Sequence, residues 1–218
     1  STLWSTVAGL AWIAIMTYIC YRGIEISARL QYVLLSIEVV VLLVFAGFAL
    51  TRVYTGTAES YSLIPSLDWF NPFTLDFGSV IAPAMLIAIF IYWGWDTAVS
   101  VNEESDDPAK TPGRAAILST VLLLATYGVV TVAAVAFAGV GTEGIGLGAE
   151  ANSSDVFSAI GPALFGDSVI GHILLLLLAA SILTSASAST QTTILPTART
   201  ALSMAVYKAV PAKFARIH

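Results

Sequence analysis

One short stretch of the chain places four aromatic residues beside a glycine and an acid. It reads Phe90-Ile91-Tyr92-Trp93-Gly94-Trp95-Asp96 and closes a long apolar run. Glycine lowers helix propensity by about 1 kcal/mol relative to alanine, and an aspartate opposes continuation of a helix into hydrocarbon. The stretch therefore predicts one of two things. The first is a break in a membrane helix, which exposes backbone groups to a polar solute; the second is the plain end of that helix.

A second candidate is Glu38, an acid inside the apolar run at residues 30–51. An acid at that depth costs about 2.5–3.5 kcal/mol on insertion scales, so it should face the protein interior or water. Burial in an apolar medium favours the protonated carboxyl, which is the condition for binding and releasing a proton during transport. The alternative is a protonated glutamate that only forms a hydrogen bond to a neighbouring helix.

A third candidate is the hydroxyl-rich segment from Thr184 to Thr193 (TSASASTQTT). Small residues allow close helix packing, and hydroxyls form hydrogen bonds between helices. Hydroxyl oxygens near a broken helix also suit a hard cation such as sodium. The sequence leaves both interpretations open.

No motif in the chain indicates enzyme chemistry, a metal centre or a cofactor. The acidic stretch at residues 102–108 lacks the EF-hand ligand spacing, and His172 has no companion at a metal-binding distance in sequence. The glycine-rich segment at residues 141–148 follows no strand, so it predicts a flexible loop and not a phosphate site. No hydrolytic triad motif is present. We expect neither a catalytic residue nor a metal or cofactor.

The composition indicates that these residues lie in an integral membrane protein. Of 218 residues, 57% are hydrophobic and only 11% are charged, which excludes a soluble globule. The net charge of −5 argues against a nucleic-acid partner. Cys20 is the single cysteine, so no disulfide can form within the chain.

Five apolar segments are long enough to cross a bilayer as helices, which takes about 20 residues each. They lack the alternation of barrel strands, so we predict an all-α membrane protein with a single transmembrane domain over residues 1–218. Pro196 predicts a kink near the end of the last segment. The segments are residues 1–21, 30–51, 77–102, 115–138 and 168–198.

The distribution of basic residues predicts the orientation. Eight of the nine Lys and Arg residues lie in the connectors at residues 22–29, 96–114 and 199–218, and the ninth is Arg52. Basic connectors remain on the cytoplasmic side of membranes. We therefore expect a multi-pass protein of the cell membrane with these three connectors in the cytoplasm.

The aromatic stretch and the loop after it resemble the sixth transmembrane helix and following loop of the amino acid-polyamine-organocation (APC) permeases. Proteins of that family show an aromatic-x-aromatic-x-Gly-aromatic-acid run, an acidic pair, an Asn-Pro and a Pro-Arg. In this chain Asp107 replaces the usual Asn. The matching residues are Phe90, Tyr92, Gly94, Trp95 and Asp96, then Asn102-Glu103-Glu104, Asp107-Pro108, and Thr111-Pro112 with Arg114.

Other landmarks extend the resemblance over essentially the whole chain. Arg199, followed by Pro211, is similar to the inner end of the family's eighth helix, although the usual Arg-Asp-Gly before that proline is absent. The sequence at residues 21–23, with Gln31, resembles the turn between the fourth and fifth helices. The five segments would then be the fourth to eighth of about twelve, so we expect an internal piece of a longer chain.

The resemblance implies an inverted repeat of five plus five helices around a central substrate site. Phe90 would be an aromatic gate, and the backbone from Ile91 to Trp95 would meet the substrate's amino group. Ser189 and Thr193 would face the same cavity or a vestigial cation site. The substrate-binding set is Phe90, Ile91, Tyr92, Trp93, Gly94, Trp95, Asp96, Ser189 and Thr193.

Together these patterns predict a secondary transporter for amino acids or related amines that works by alternating access. Glu38 occupies a position where many family members carry a lysine that replaces a sodium ion. We therefore predict proton-coupled symport through Glu38. The alternatives are that Glu38 helps to bind a cation such as sodium, or that the protein is an exchanger in which this group is only structural. Asp96 would favour a cationic side chain or a polyamine. The alternative function is a channel or a non-transporting membrane subunit.

Overall fold

A computed structural model describes residues 2–92, 94, 97, 100, 102 and 105–215. Within these residues the regular structure is entirely helical, so the predicted all-α class is confirmed. A π-helical turn, Phe77–Ile81, leads directly into the third α-helix. The α-helices are α1 (Thr2–Tyr21), α2 (Ile24–Tyr54), α3 (Ala82–Ile91), α4 (Thr111–Ala138), α5 (Val156–Phe165) and α6 (Val169–Val206).

Four of the described helices, α1, α2, α4 and α6, are long and apolar enough to cross a membrane. The longest, α6, has 38 residues and so extends for about 57 Å at 1.5 Å per residue. Large apolar side chains are exposed along these helices, which is stable in contact with lipid but costly in water. The structure therefore has the elements of a membrane protein.

The helices differ in extent from the apolar segments of the sequence. The helix α2 begins before residue 30, and its first two turns carry an exposed ion pair between Glu25 and Arg29 at 2.8 Å. The helix α4 begins at Thr111 and not at residue 115, and α6 continues through Pro196 to Val206. Hydropathy alone misses such polar helical ends.

The third apolar segment, residues 77–102, is not one spanning helix. Its apolar helical part, Phe77–Ile91, is shorter than the four long helices. Asp76 begins it: its carboxylate accepts hydrogen bonds from the Ser79 N–H (2.8 Å) and hydroxyl (2.7 Å). These bonds to the charged form lower the pKa of Asp76 below its ordinary value.

The described chain divides into two compact units. The helices α2, α4 and α6 contribute residues to both. The first unit comprises Ser1–Ser36, Trp93–Val121 and Thr184–His218, and the second comprises Ile37–Tyr92 and Leu122–Leu183.

The second unit has a core of small and aromatic side chains. Phe45 of α2 and Phe137 of α4 are almost completely buried, and alanines around them let the helices approach closely. The ring of Phe45 meets that of Phe157 in α5 edge to face, with centroids 5.2 Å apart. The short helix α5 is thereby packed into this unit.

Arg52, the one Lys or Arg residue outside the three predicted cytoplasmic connectors, holds the end of α5. Its Nη1 donates to the carbonyl oxygens of Ala163 (2.7 Å) and Leu164 (2.9 Å), and its Nη2 donates to that of Thr57 (3.0 Å). The guanidinium also lies 5.5 Å from the centroid of the Phe137 ring. The arginine thus satisfies carbonyls that the helix end leaves without a partner.

We expect Arg52→Lys to lower the free energy of unfolding by about 1–3 kcal/mol. The single ammonium group of lysine cannot make the three hydrogen bonds that the planar guanidinium donates to carbonyl oxygens. Thermal unfolding of the purified complete gene product, followed by tryptophan fluorescence, measures the change. The control is Arg29→Lys, since Arg29 forms an exposed ion pair worth at most about 1 kcal/mol. Equal melting temperatures for the two variants would contradict the structural role of Arg52.

Candidate functional site

The helix α3 ends at the aromatic stretch and helical backbone returns shortly afterwards. The Tyr92 N–H still donates to the Ala88 carbonyl (3.1 Å), but Tyr92 itself leaves the helical region, with φ −89° and ψ 7°. Gly94 has a φ of +117°. The Thr97 N–H donates to the Gly94 carbonyl (3.2 Å), and both Thr97 and Ser100 are helical. The described backbone therefore leaves the helical region at Tyr92 and Gly94, and Thr97 and Ser100 are helical again.

The backbone conformation at residue 94 requires glycine, whereas the space around it would admit a side chain. A positive φ of this size is rarely adopted by residues with a Cβ atom. A Cβ built on Gly94 would meet no heavy atom within 4 Å. Side-chain packing therefore leaves room at this position, and the turn itself selects glycine.

The described residues before the interruption are largely apolar and accessible. Phe90 is 68% exposed and Ile91 is 49% exposed, while Tyr92 is half-buried. Three further predicted site residues, Trp93, Trp95 and Asp96, lie outside the described residues. Their roles in substrate binding stay predictions.

Glu38 lies near the middle of α2, in the second unit, and is half-buried. In the same unit, Tyr127 lies near the middle of α4. The Tyr127 ring packs against Tyr92, with centroids 5.9 Å apart and planes tilted by 60°. Sequence reasoning missed Tyr127, although a tyrosine in the middle of an apolar span is the signal that could have identified it.

Ser189 and Thr193 lie one turn apart on α6, in the first unit, and both are exposed. The Thr193 hydroxyl donates to the Ser189 carbonyl at 2.8 Å, within the same helix. At about 100° per residue, Ser187 and Gln191 occupy the opposite face of α6. The pair predicted from sequence is therefore not the pair that packs against other helices of the first unit.

Ser187 and Gln191 make those contacts, and both are 2% exposed. The Trp12 indole N–H donates to the Ser187 hydroxyl at 3.1 Å. The Gln191 amide donates to the Ser27 carbonyl (2.8 Å) and to the Ser27 hydroxyl. No local signal in the sequence separates these two residues from their neighbours, because Ser189 and Thr193 have the same i, i+4 spacing.

Pro196 leaves a carbonyl without its usual partner in α6. A proline cannot donate to the carbonyl four residues earlier, which here belongs to Thr192. The Thr97 hydroxyl donates to that Thr192 oxygen at 3.4 Å. A residue just after the interruption thus supplies the hydrogen bond that the proline cannot make.

We expect Thr97→Val to lower stability by about 1 kcal/mol, because it leaves the Thr192 carbonyl unsatisfied. In a Pro196→Ala background the helix regains its N–H donor, so the same substitution should cost less. A double-mutant cycle of melting temperatures measures this difference. Equal costs in the two backgrounds would show that the contact between Thr97 and Thr192 carries no energy.

The first unit also contains a polar cavity of about 680 Å³. The hydroxyl, amide and guanidinium groups around it can be solvated by water. Among the residues that the structure describes, no cluster of three or more His, Cys, Asp or Glu side chains could hold a metal ion. The cavity is lined by Ser100, Asn102, Pro108, Pro196, Arg199, Thr200 and Ser203.

Known proteins match this chain in two comparisons. The sequence model of the amino acid permease family matches residues 2–218. The branched-chain amino acid permease BcaP of Bacillus subtilis (strain 168) is 31% identical over 120 residues, which are 55% of this chain and 23% of that relative. The match thus spans less than a quarter of the relative's length, and no solved structure matches the chain. Because the family match covers nearly every residue, this chain belongs to the amino acid permease family of the APC superfamily, whose proteins are permeases and not enzymes.

Proposed function

We propose that the complete protein containing this chain is a secondary transporter that moves an amino acid or related amine by alternating access. The observation that carries the proposal is the interrupted helix at Tyr92 and Gly94 in a chain of the amino acid permease family. Carriers of this type bind their substrates near the membrane midplane at unwound helix segments. We further propose that the helices belong to an inverted repeat of five plus five.

The interruption supplies the chemistry that an amino acid needs. Ending one helix and starting another releases backbone N–H and C=O groups from intrahelical bonds, and carbonyl oxygens can accept from an α-ammonium group. We assign substrate contacts to the stretch from Phe90 to Asp96, with Ser189 and Thr193 on α6. The exposed rings and side chains of Phe90 and Ile91 leave apolar surface for the substrate beside these groups.

A neutral amino acid with an apolar side chain is the substrate class that we favour. The relative from Bacillus subtilis is named as a branched-chain amino acid permease. The accessible side chains before the interruption, Phe90 and Ile91, are apolar and suit such a substrate. A cationic amino acid or polyamine, attracted by Asp96, is the competing class.

Glu38 is proposed as the proton-coupling group. Its carboxyl is half-buried near the middle of a helix that is long enough to span a membrane. The surrounding protein sets the free energy of ionising such a carboxyl, so the group can bind and release a proton that moves with the substrate. Sodium is the alternative coupling ion. We place the protein in the cell membrane, with the connectors at residues 22–29, 96–114 and 199–218 in the cytoplasm.

Counterflow in liposomes tests the proposal. The complete gene product is reconstituted, vesicles are loaded with one unlabelled compound, and entry of the same labelled compound is followed. We expect saturable, stereoselective exchange of leucine, isoleucine or valine, since a pore neither saturates at carrier concentrations nor prefers one enantiomer. Protein-free vesicles and the D-enantiomers are the controls.

Three results are distinguishable. Exchange of lysine or a polyamine, without exchange of apolar amino acids, would keep the transporter and overturn the substrate class. Flux that does not saturate would favour the channel. Absence of exchange for every amine tested, with folded protein in the vesicles, would leave a non-transporting subunit.

A further inference from the structure

A cavity of about 400 Å³ lies in the second unit, beside the arginine that holds the end of α5. None of the described residues that line it is assigned above to substrate binding or proton coupling. One part of its wall is apolar and accessible, since Phe48 is 45% exposed. The other part is polar and contains a cation. The wall includes Gly47, Phe48 and Leu164 in the apolar part, and Arg52, Thr51 and Thr55 in the polar part.

Arg52 retains hydrogen-bonding capacity and charge that its contacts within the fold do not use. A guanidinium has five N–H donors, and the structure shows three hydrogen bonds from Arg52, all to carbonyl oxygens. Carbonyl oxygens carry no net charge, and within the described part of the chain no carboxylate forms an ion pair with Arg52. Glu59, the acid nearest to it in sequence, is exposed. The remaining N–H groups and the positive charge of Arg52 therefore suit an anionic ligand.

The groups along α2 occur in the same order as the groups of a phospholipid. The helix has 31 residues and extends for about 46 Å, which is the thickness of a bilayer with its headgroup regions. Arg52 lies in its last turn, at the height of the headgroups. Gly47 is about 7.5 Å nearer the bilayer centre, at 1.5 Å per residue. A lipid can thus place its phosphate at the guanidinium and an acyl chain along Gly47 and Phe48.

We propose that this cavity binds a phospholipid, whose phosphate oxygens accept hydrogen bonds from Arg52 and whose acyl chain lies against Gly47 and Phe48. Charge complementarity favours this occupant, because the planar guanidinium matches the geometry of phosphate oxygens and its hydrogen bonds to them are about twice as strong as neutral ones. The site goes beyond the proposed transport function and does not depend on which solute is carried.

The threonines of the polar part indicate the kind of headgroup. The Thr51 hydroxyl donates to the Gly47 carbonyl (2.7 Å), and the Thr55 hydroxyl donates to the Thr51 carbonyl (2.8 Å). Both protons are therefore used within α2, and the hydroxyl oxygens are left to accept hydrogen bonds. A headgroup that carries hydroxyl donors suits these oxygens. Phosphatidylglycerol, which combines a phosphodiester with two hydroxyls, is the probe that we choose.

Gly47→Leu tests the site without replacing the arginine. A Cβ on Gly47 would meet no heavy atom within 4 Å, so leucine is accommodated in α2 and its side chain occupies the apolar part of the cavity. Native mass spectrometry of the purified, delipidated complete gene product, titrated with phosphatidylglycerol, counts the lipids that remain bound. We expect the wild type to retain one phosphatidylglycerol more than Gly47→Leu at the same lipid concentration.

The matched control is Gly9→Leu, the same substitution in α1. A Cβ on Gly9 also meets nothing within 4 Å, and Gly9 does not line this cavity. This variant should retain as much phosphatidylglycerol as the wild type. Arg52→Gln removes the charge and should weaken phosphatidylglycerol binding at this site by about tenfold or more, as expected for loss of a charged hydrogen bond. Gly47→Leu is the main variant, because Arg52 also holds α5.

A second measurement uses the contact of Arg52 with both helices. Because the same guanidinium binds carbonyl oxygens of α5, a lipid held by it should stabilise the second unit. Phosphatidylglycerol should therefore raise the melting temperature of the wild type and of Gly9→Leu by more than that of Gly47→Leu. Diacylglycerol with the same chains lacks the phosphate, and glycerol phosphate lacks the chains. Neither should reproduce the difference between these variants.

Four results would overturn the proposal. Equal retention of phosphatidylglycerol by the wild type and Gly47→Leu would mean that another part of the complete protein, and not a lipid, covers the cavity. Equal binding by folded Arg52→Gln would remove the arginine from the site. If diacylglycerol reproduces the difference, the phosphate is not recognised. If glycerol phosphate reproduces it, the ligand is a soluble phosphate ester and the lipid is wrong.

Discussion

Glu38→Gln is expected to abolish uphill uptake driven by a pH gradient while counterflow of the same substrate continues. Glutamine retains the size and hydrogen-bonding capacity of a protonated glutamate, but it cannot release a proton. The alternating movement of the carrier can still proceed with substrate bound, whereas the coupled proton is lost. Labelled substrate inside acid-driven vesicles should then never exceed its outside concentration.

The matched control for this experiment is Glu25→Gln on the same helix. Glu25 lies in the first turn of α2, and its side chain is 85% exposed in an ion pair with Arg29. It should leave accumulation unchanged, because an exposed ion pair contributes little. Accumulation by Glu38→Gln at the wild-type level would remove Glu38 as the coupling group. Loss of counterflow as well would make its role structural.

Gly94→Ala should reduce the rate of counterflow by about fivefold or more. A side chain at a φ of +117° costs on the order of 1–3 kcal/mol, and about 1.4 kcal/mol corresponds to tenfold. Because a Cβ at Gly94 has open space around it, the cost comes from the backbone and alters the shape of the interruption. Initial rates of counterflow, at equal amounts of reconstituted protein, measure the effect.

Gly9→Ala is the control for Gly94→Ala. Gly9 lies within α1, where no positive φ is required, and a Cβ there also meets nothing within 4 Å. Alanine raises helix propensity at such a site, so transport should be retained and stability should not fall. Equal rates of counterflow for the two variants would mean that the conformation at Gly94 has no part in transport.

The sequence allowed the class of protein to be predicted, because composition and hydropathy are sums over local residues. The apolar runs predict helices wherever they exceed the bilayer thickness, and α1 coincides with the first of them. The aromatic stretch around Gly94 also has a local cause, since a glycine between bulky residues lowers helix propensity wherever it stands. The match to the permease family agrees with the resemblance that these residues carry.

The faces of the helices could not be predicted in the same way. Most of α2, α4 and α6 is apolar around the whole circumference, so hydrophobic periodicity does not indicate which side packs against a neighbour. The resemblance to the permeases assigns Ser189 and Thr193 to the substrate cavity, which stays a prediction, and the contacts within the first unit are made by Ser187 and Gln191 on the opposite face.

The amino-acid sequence by itself determined the helical membrane class, the family and the place where the third apolar segment is interrupted. The tertiary structure alone decided that Arg52 holds the end of α5, that Thr97 reaches the carbonyl freed by Pro196, and that the ring of Tyr127 packs against that of Tyr92. The physical reason is that helix formation depends on neighbours along the chain. Contacts between residues far apart in sequence depend on how each helix is rotated and packed, which local hydropathy does not encode.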